Sequence, residues 1–212
     1  MNFSKLTACL LALTIATCVT SALGQDSHPV FSLGFGAQYW EPKDMDSFDE
    51  DGFWGANLIA RIHPSAYFGI DFRAGGSGVW EGESYYINGR KYEADVTFLC
   101  CPVEAGIVFM LPLGDVVTLY AGPGVGYYYY DIDIDVSEKH RHHYHSVVNE
   151  HIELEDDFGW YVVGGLKILL ASCFSIFGEA RYNDTKTSLK DFDSEEIDCS
   201  GVGFQAGIMF DF

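Results

Sequence analysis

The sequence alternates residue by residue between two unlike faces, and it does so in eight separate stretches. VFSLGFGAQYW places Phe31, Leu33, Phe35, Ala37 and Tyr39 on one side and Ser32, Gly34, Gly36 and Gln38 on the other. FWGANLIARI, YFGIDFRAG, PVEAGIVF, VTLYAGPGVGYYYY, WYVVGGLKILL, FSIFGEARY and GVGFQAGIMFDF repeat the scheme. A two-residue period is that of a β-strand whose two faces meet different surroundings. After residue 24 no segment carries a long helical period.

The connections alternate in size. HPSA, LPLGD and LAS follow the second, fourth and sixth stretches. Long polar or acidic segments follow the first, third, fifth and seventh: EPKDMDSFDEDG, EGESYYINGRKYEAD, residues 131 to 157, and NDTKTSLKDFDSEEIDC. In a meander all tight turns then fall at one end and all long connections at the other, the layout of a membrane barrel. The expected fold is all-β, an eight-stranded antiparallel up-and-down transmembrane β-barrel.

Alternation alone does not say which face is outside, because a soluble barrel alternates too. A solvated face carries many charges. Here the weaker face is mostly Gly, Ser, Asn and Thr, with Arg61, Arg73, Lys167 and Arg181 set against Asp71, Glu104, Glu179 and Asp211. Small residues and compensating ions suit a narrow eight-stranded lumen. The uniformly apolar face suits lipid. Two readings of the charges follow: an ion-pair network that fills the barrel, or a polar path for small solutes.

The aromatics sort by end. An aromatic belt of Trp40, Trp54, Trp80, Tyr127, Tyr129, Trp160 and Tyr182 is expected at the long-loop end. Phe31, Phe68, Phe109, Phe174, Phe210 and Phe212 collect at the other. Rings prefer both water–lipid boundaries. In GPGVGYYYYDIDIDV, glycines 122, 124 and 126 enter the lumen, Tyr127 to Tyr130 sit where the strand leaves lipid, some facing the headgroups and some capping the lumen, and Asp131, Asp133 and Asp135 carry it into water. Pro102 and Pro123 each remove a ladder hydrogen bond, and a bulge between them is the expected accommodation.

Residues 1–24 have the form of a secretory signal peptide: Lys5, an apolar run from Leu6 to Val19, then small residues. Cleavage is placed after Gly24, leaving 25–212 as the barrel domain. IATC loosely resembles a site for acylation of Cys18, against which Thr17 argues. Losing Lys5 moves the net charge of the chain from −19 to −20. A surface so acidic excludes nucleic acid as a partner. Cys100, Cys101, Cys173 and Cys199 remain; the adjacent pair must face opposite ways, and connectivity is not readable from spacing.

The segment PVEAGIVFMLPLGDVVTLYAGPGVGYYYY resembles the strand–turn–strand signature of small OmpA-type and opacity-type outer-membrane barrels. Phe212 is similar to the C-terminal aromatic that serves such barrels as an insertion signal. The resemblance implies a cell outer-membrane location, with outer-membrane lipid and the barrel-assembly machinery as partners, and a monomer. It also implies that the peptidoglycan-binding domain of the larger OmpA-type proteins is missing.

Five histidines fall in KHRHHYHSVVNEH. His140, His142, His143 and His145, with Glu138 or Asp135, could bind zinc, nickel or copper. The plainer reading is a solvated loop whose charge changes near neutral pH. The 138–151 loop is the one place where a divalent metal is considered, and no other cofactor is expected. DMDSFDEDG lacks the ligand spacing of a calcium loop. Ser146 beside His145, or Ser137 near His140, lie too far from the lipid boundary for the Ser–His chemistry of lipid-modifying barrels. A non-enzymatic protein with a structural or surface-contact role is therefore expected, the alternative being a narrow porin-like channel for small solutes or hydrophobic molecules.

Overall fold

Strands rich in Phe, Tyr, Val and Ile on one face favour extended backbone, and Gly and Ser opposite them let neighbouring chains approach. The computed structural model describes residues 29–43, 52–87, 90–140, 143–188 and 196–212. Residues 1–24, the expected signal peptide, lie outside the described residues. The strands are β1 (Phe31–Pro42), β2 (Phe53–Ser65), β3 (Phe68–Ile87), β4 (Arg90–Leu113), β5 (Val117–His140), β6 (His143–Glu153), β7 (Asp157–Ala171), β8 (Phe174–Asp184), β9 (Lys186–Ser188), β10 (Glu196–Asp198) and β11 (Gly201–Asp211).

Eight of them, β1, β2, β3, β4, β5, β7, β8 and β11, pair antiparallel with sequence neighbours. Pairing of β4 with β5 joins one edge of the sheet and pairing of β1 with β11 joins the chain ends, so the ring closes. This is the expected up-and-down barrel. Closure removes the unpaired edges that lipid could not satisfy. No described helix is long and apolar enough to cross a membrane; strands do the spanning. β1, β8 and β11 have 12, 11 and 11 residues, close to the roughly 9–11 that a tilted strand needs to cross hydrocarbon.

The three short connections are Ala66–Tyr67, Gly114–Val116 and Ser172–Cys173. Gly114 has φ 76°, a left-handed turn position that a side chain would strain. At the other end the structure departs from the sequence reading. The second and third long connections are not loops. β3 and β4 run on to Ile87 and from Arg90, separated by two residues, and β5 continues to His140. β5 changes partner on the way: Val117 to Tyr128 pair with β7, and Asp131 to His140 pair with β6. A four-stranded sheet, β3–β4–β5–β6, thus stands above the barrel on one side. Hydrophobic alternation stops at the lipid boundary, so the polar continuations of β3 and β4 and the whole of β6 looked like loop, while the run of β5 into water matches the reading of Asp131, Asp133 and Asp135.

No register shift accompanies either proline, which corrects the expected bulge. Instead, Gly75 and Gly76 drop out of the β3–β4 ladder opposite Pro102, and Ile107 and Val108 drop out of the β4–β5 ladder opposite Pro123. The missing N–H opens the ladder locally while the register runs through. Shifts fall elsewhere, between Ile62 and Ser65, Val136 and Ser137, and Leu169 and Ala171.

The faces divide as the alternation requires. Ser32, Gly34, Gly36 and Gln38 are buried while Phe35 and Ala37 are exposed. Phe35, Leu58, Phe72, Val103, Phe109, Val125, Val162, Leu166, Phe204 and Ile208 all stand on the outer surface. A continuous apolar girdle of this extent belongs in hydrocarbon, not water.

Candidate functional site

The barrel interior gathers nearly all the ionisable side chains of the spanning segments. Their direction follows from strand parity: on β2, Asn57, Ile59, Arg61 and His63 point inward because Leu58 and Ile62 point out. Arg61, Asp71, Arg73, Glu104, Lys167, Glu179, Arg181 and Asp211 are all buried. Four cations face four carboxylates, so the interior is neutral as a whole.

The charges form three linked groups. Near the short turns, Asp211 accepts from Lys167 Nζ at 3.0 Å, Ser175 Oγ at 2.7 Å and Ser32 Oγ at 2.5 Å. Since the Ser32 hydroxyl donates to Asp211, its contact with His63 Nε2 at 2.7 Å requires the imidazole to donate. In the middle, Arg61 holds Asp71 with two bonds, Nε to Oδ1 at 2.5 Å and Nη2 to Oδ2 at 2.9 Å. Arg73 donates to Asp71 at 2.8 Å and forks onto Glu179 across the lumen. Tyr120 OH donates to Glu179 at 2.9 Å. Toward the long loops, Arg181 pairs with Glu104, which also accepts from Tyr128 OH at 2.9 Å. Arg181 Nε donates to Asn183 at 2.8 Å.

Aromatic rings bridge the groups. The Arg61 guanidinium lies 4.3 Å from the Tyr120 ring centre, and Arg181 and Arg73 lie 4.9 and 5.7 Å from Tyr161. Planar guanidinium groups favour such stacking. Gly124 makes room: a Cβ there would stand 2.3 Å from Tyr161 Cζ. Polar atoms without a partner among the described residues include Asn57 Oδ1, Tyr161 OH and both amide atoms of Gln205. They lie mainly on the β1–β2–β11 side of the lumen.

The interior is bulkier than its glycines suggested. Ile59, Phe177 and Met209 form one buried cluster, and Val108, Met110, Tyr120, Tyr161 and Val163 another. A third, of Trp40, Phe53, Val79, Cys100, Tyr128, Tyr130, Leu154 and others, fills the long-loop mouth. Phe98 stacks on Phe53 within it. Sequence reasoning expected some of Tyr127 to Tyr130 to cap the lumen, as Tyr128 and Tyr130 do, but missed the other large residues, and missed Ser32, His63 and Ser175 as ion partners. The usable signal was parity with Arg61, Asp71 and Asp211 on the same faces.

Trp40 requires a correction. It does not join the outer belt; it is 5% exposed and packs edge-on against Phe53 inside the mouth. Tyr39 takes the outward position on β1, so its neighbour must face in. Trp54 and Trp80 are 66% and 65% exposed. Trp160 and Tyr129 also face out, and Tyr127 and Tyr182 are half-buried. Tyr39 pairs with Trp54, Trp160 with Tyr182, and Tyr127 with both Tyr129 and Phe158. At the other end Phe31 stacks on Phe212, Phe68 meets Phe109 edge-on and Phe174 packs at a tilt against Phe210. The Phe212 carbonyl accepts from Val30 N–H at 2.8 Å.

The side chains of His140, His142, His143 and His145 lie outside the described residues, so the metal reading stays an expectation. Among the described residues no group of three or more metal-binding side chains occurs. At the rim beyond the lipid boundary, Asp198 accepts from Ser200 N–H at 2.9 Å, and its bonds to Ser200 hold its pKa below the ordinary 3.8. Lys43 donates to Tyr182 OH at 3.2 Å, and that contact raises its pKa.

A closed eight-stranded meander with an apolar outside, aromatic girdles and an ion-paired inside is a transmembrane barrel of the outer-membrane class. The chain belongs to the family described as outer membrane protein beta-barrel domain, whose model matches residues 8–212. It is similar in fold to the crystal structure of Neisserial surface protein A: TM-score 0.54, 11% identity, 88% of this chain and 100% of that one. It is also similar to the outer membrane protein OprG of Pseudomonas aeruginosa: TM-score 0.57, 13% identity, 87% of this chain and 97% of that one. No curated protein matches the sequence. Identities this low establish the shared small-barrel architecture and no subfamily.

Proposed function

We propose that this outer-membrane barrel is a non-conducting, non-enzymatic anchor. Its spanning part fixes the protein in the bilayer and holds up the long-loop end for contacts at the cell surface. The observation that carries this reading is the continuous cross-lumen network Arg61–Asp71–Arg73–Glu179, capped by the apolar cluster at the mouth. Ion pairs that span the lumen would interrupt a column of water and obstruct a hydrated solute. The apolar cap would add a dewetting barrier of the kind that closes hydrophobic gates.

A narrow channel is the second reading. The unpartnered amide atoms of Asn57 and Gln205 favour it, since such buried groups ordinarily hold water. Planar-bilayer recording of the purified protein separates the two. The anchor reading expects a flat current trace; steady single-channel steps that scale with salt would overturn it. Membrane lipid composition in a deletion strain tests the absence of catalysis, and a changed acyl pattern restored by the wild-type chain would refute that part. Zinc titration by calorimetry addresses the histidine-rich tip, with a variant lacking His140, His142, His143 and His145 as the control.

A further inference from the structure

Two thiols that neither the ion network nor the lipid face uses lie together at the barrel mouth. Cys100 on β4 and Cys199, just ahead of β11, are 2% and 1% exposed and belong to one cluster. Cys101 and Cys173 are exposed. Around the ring, β4 and β11 are separated by β3, β2 and β1 on one side and by β5, β7 and β8 on the other. They are opposite walls of the barrel. No sheet ladder brings these cysteines together; Cys199 is brought in by the described residues just ahead of β11, which pack into the mouth cluster.

A chain of contacts fixes that packing. Cys100 is the register partner of Tyr130. Tyr130 OH meets Thr185 Oγ1 at 3.0 Å, and Thr185 N–H donates to Ser200 Oγ at 3.3 Å, next to Cys199. Each thiol is within electrostatic range of the other, and both are within range of Tyr130. Ser200 is held in turn by Lys43 N–H on its carbonyl at 2.9 Å and by Asp198 on its own N–H at 2.9 Å, so Cys199 is fixed at the mouth beside Cys100, where a disulfide requires a Cα separation of roughly 4.4–6.8 Å.

We propose that Cys100 and Cys199 form a disulfide that bolts the final connection across the barrel mouth. The two thiols lose two electrons and two protons to a disulfide oxidant, either a dithiol–disulfide oxidoreductase of the envelope or a small disulfide, which leaves as two thiols. Export compartments sustain such bonds. Thiol exchange needs access to the attacking sulfur, so the bond forms before the mouth is fully packed. The bridge replaces two buried S–H groups by an apolar link inside an apolar cluster.

The test is peptide mapping of the exported chain, denatured in the presence of N-ethylmaleimide and digested without reductant. Cys100 and Cys101 share a tryptic peptide, so the double variant Cys101→Ser/Cys173→Ser is mapped beside the wild type. In both, a peptide containing Cys100 is expected linked to one containing Cys199, and dithiothreitol should release it. In the double variant the reductant should also lower the temperature at which gel mobility shifts, and Cys199→Ser should abolish that effect. Maleimide on both Cys100 and Cys199 in wild-type protein refolded with oxidised glutathione would overturn the proposal. So would a link to Cys199 that disappears when Cys101 is replaced. The wild-type map stands even if a variant does not fold.

Discussion

Arg73 is the hinge of the lumen charges, and its replacement by methionine is the sharpest test of the interior. Its guanidinium donates to Asp71 and forks onto Glu179, all three groups being buried. Asp71 keeps both bonds from Arg61, but Glu179 is left with Tyr120 OH alone. Breaking one side of a buried pair costs about 3–5 kcal/mol, because the orphaned charge has lost its water and its partner. At a urea slope of about 2 kcal/mol/M, Arg73→Met should lower the unfolding midpoint by about 1.5–2.5 M. Removing the orphan as well, in Arg73→Met/Glu179→Gln, should recover at least half of that loss, about 1.5–2.5 kcal/mol or more, so the two substitutions are strongly non-additive. The assay is urea unfolding in lipid vesicles, followed by tryptophan fluorescence and by gel mobility of unheated samples. Strict additivity of the two substitutions would refute the reasoning. It would mean that water already screens the charges, as it would in an open pore.

The glycines make a self-controlled prediction. Gly122→Ala would put Cβ 1.8 Å from the Ile107 carbonyl oxygen and Gly124→Ala would collide with Tyr161, whereas Gly164 and Gly178 have nothing within 4 Å. The first two should abolish the heat-modifiable folded band and the latter two should leave it. Leu58→Arg or Leu166→Arg, on the outer face, should destabilise by about 2–4 kcal/mol if the position is near the bilayer midplane, measured by the same unfolding. For the rim, the depressed pKa of Asp198 means that its bond to Ser200 N–H contributes fully above the ordinary value of 3.8 and is lost as pH falls below it. Hydrogen exchange corrected for intrinsic rate should show Ser200 protection falling over that acid range in the wild type, and Asp198→Asn should remove the pH dependence.

The eight spanning strands were legible because lipid imposes a strict rule: every second residue is apolar for about ten residues. The same rule located the inward charges. It could not say how they pair, since partners are chosen across the lumen as well as along the ladder. Arg61 does bond its register partner Asp71, but Arg73 lies in register with Glu104 and bonds Glu179 and Asp71 instead. Trp40 was assigned to the belt from its place at the end of a strand, without following parity one residue further than Tyr39. Ile59, Phe177 and Met209 were hidden for a different reason. In a barrel with two unlike faces, a large apolar residue is at home on either, so its identity carries no direction. Beyond the lipid the rule lapses: the alternating acids Asp131, Asp133 and Asp135 still marked β5 as running into water, but the outer parts of β3 and β4 and the whole of β6 read as polar loop.

That ribbon makes the rim lopsided. From Tyr129 in the belt, β5 runs eleven further residues to His140, which at about 3.4 Å per residue and a typical tilt of about 40° is a rise of roughly 28 Å. On the opposite wall β1 ends at Pro42, two residues past Trp40. Among the described residues, the β5 flank is a tall parapet and the end of β1 a low sill. A large body descending on the bilayer is stopped by the crest of the parapet before it reaches the end of β1. A layer of surface sugars less than about 3 nm deep would leave that crest bare.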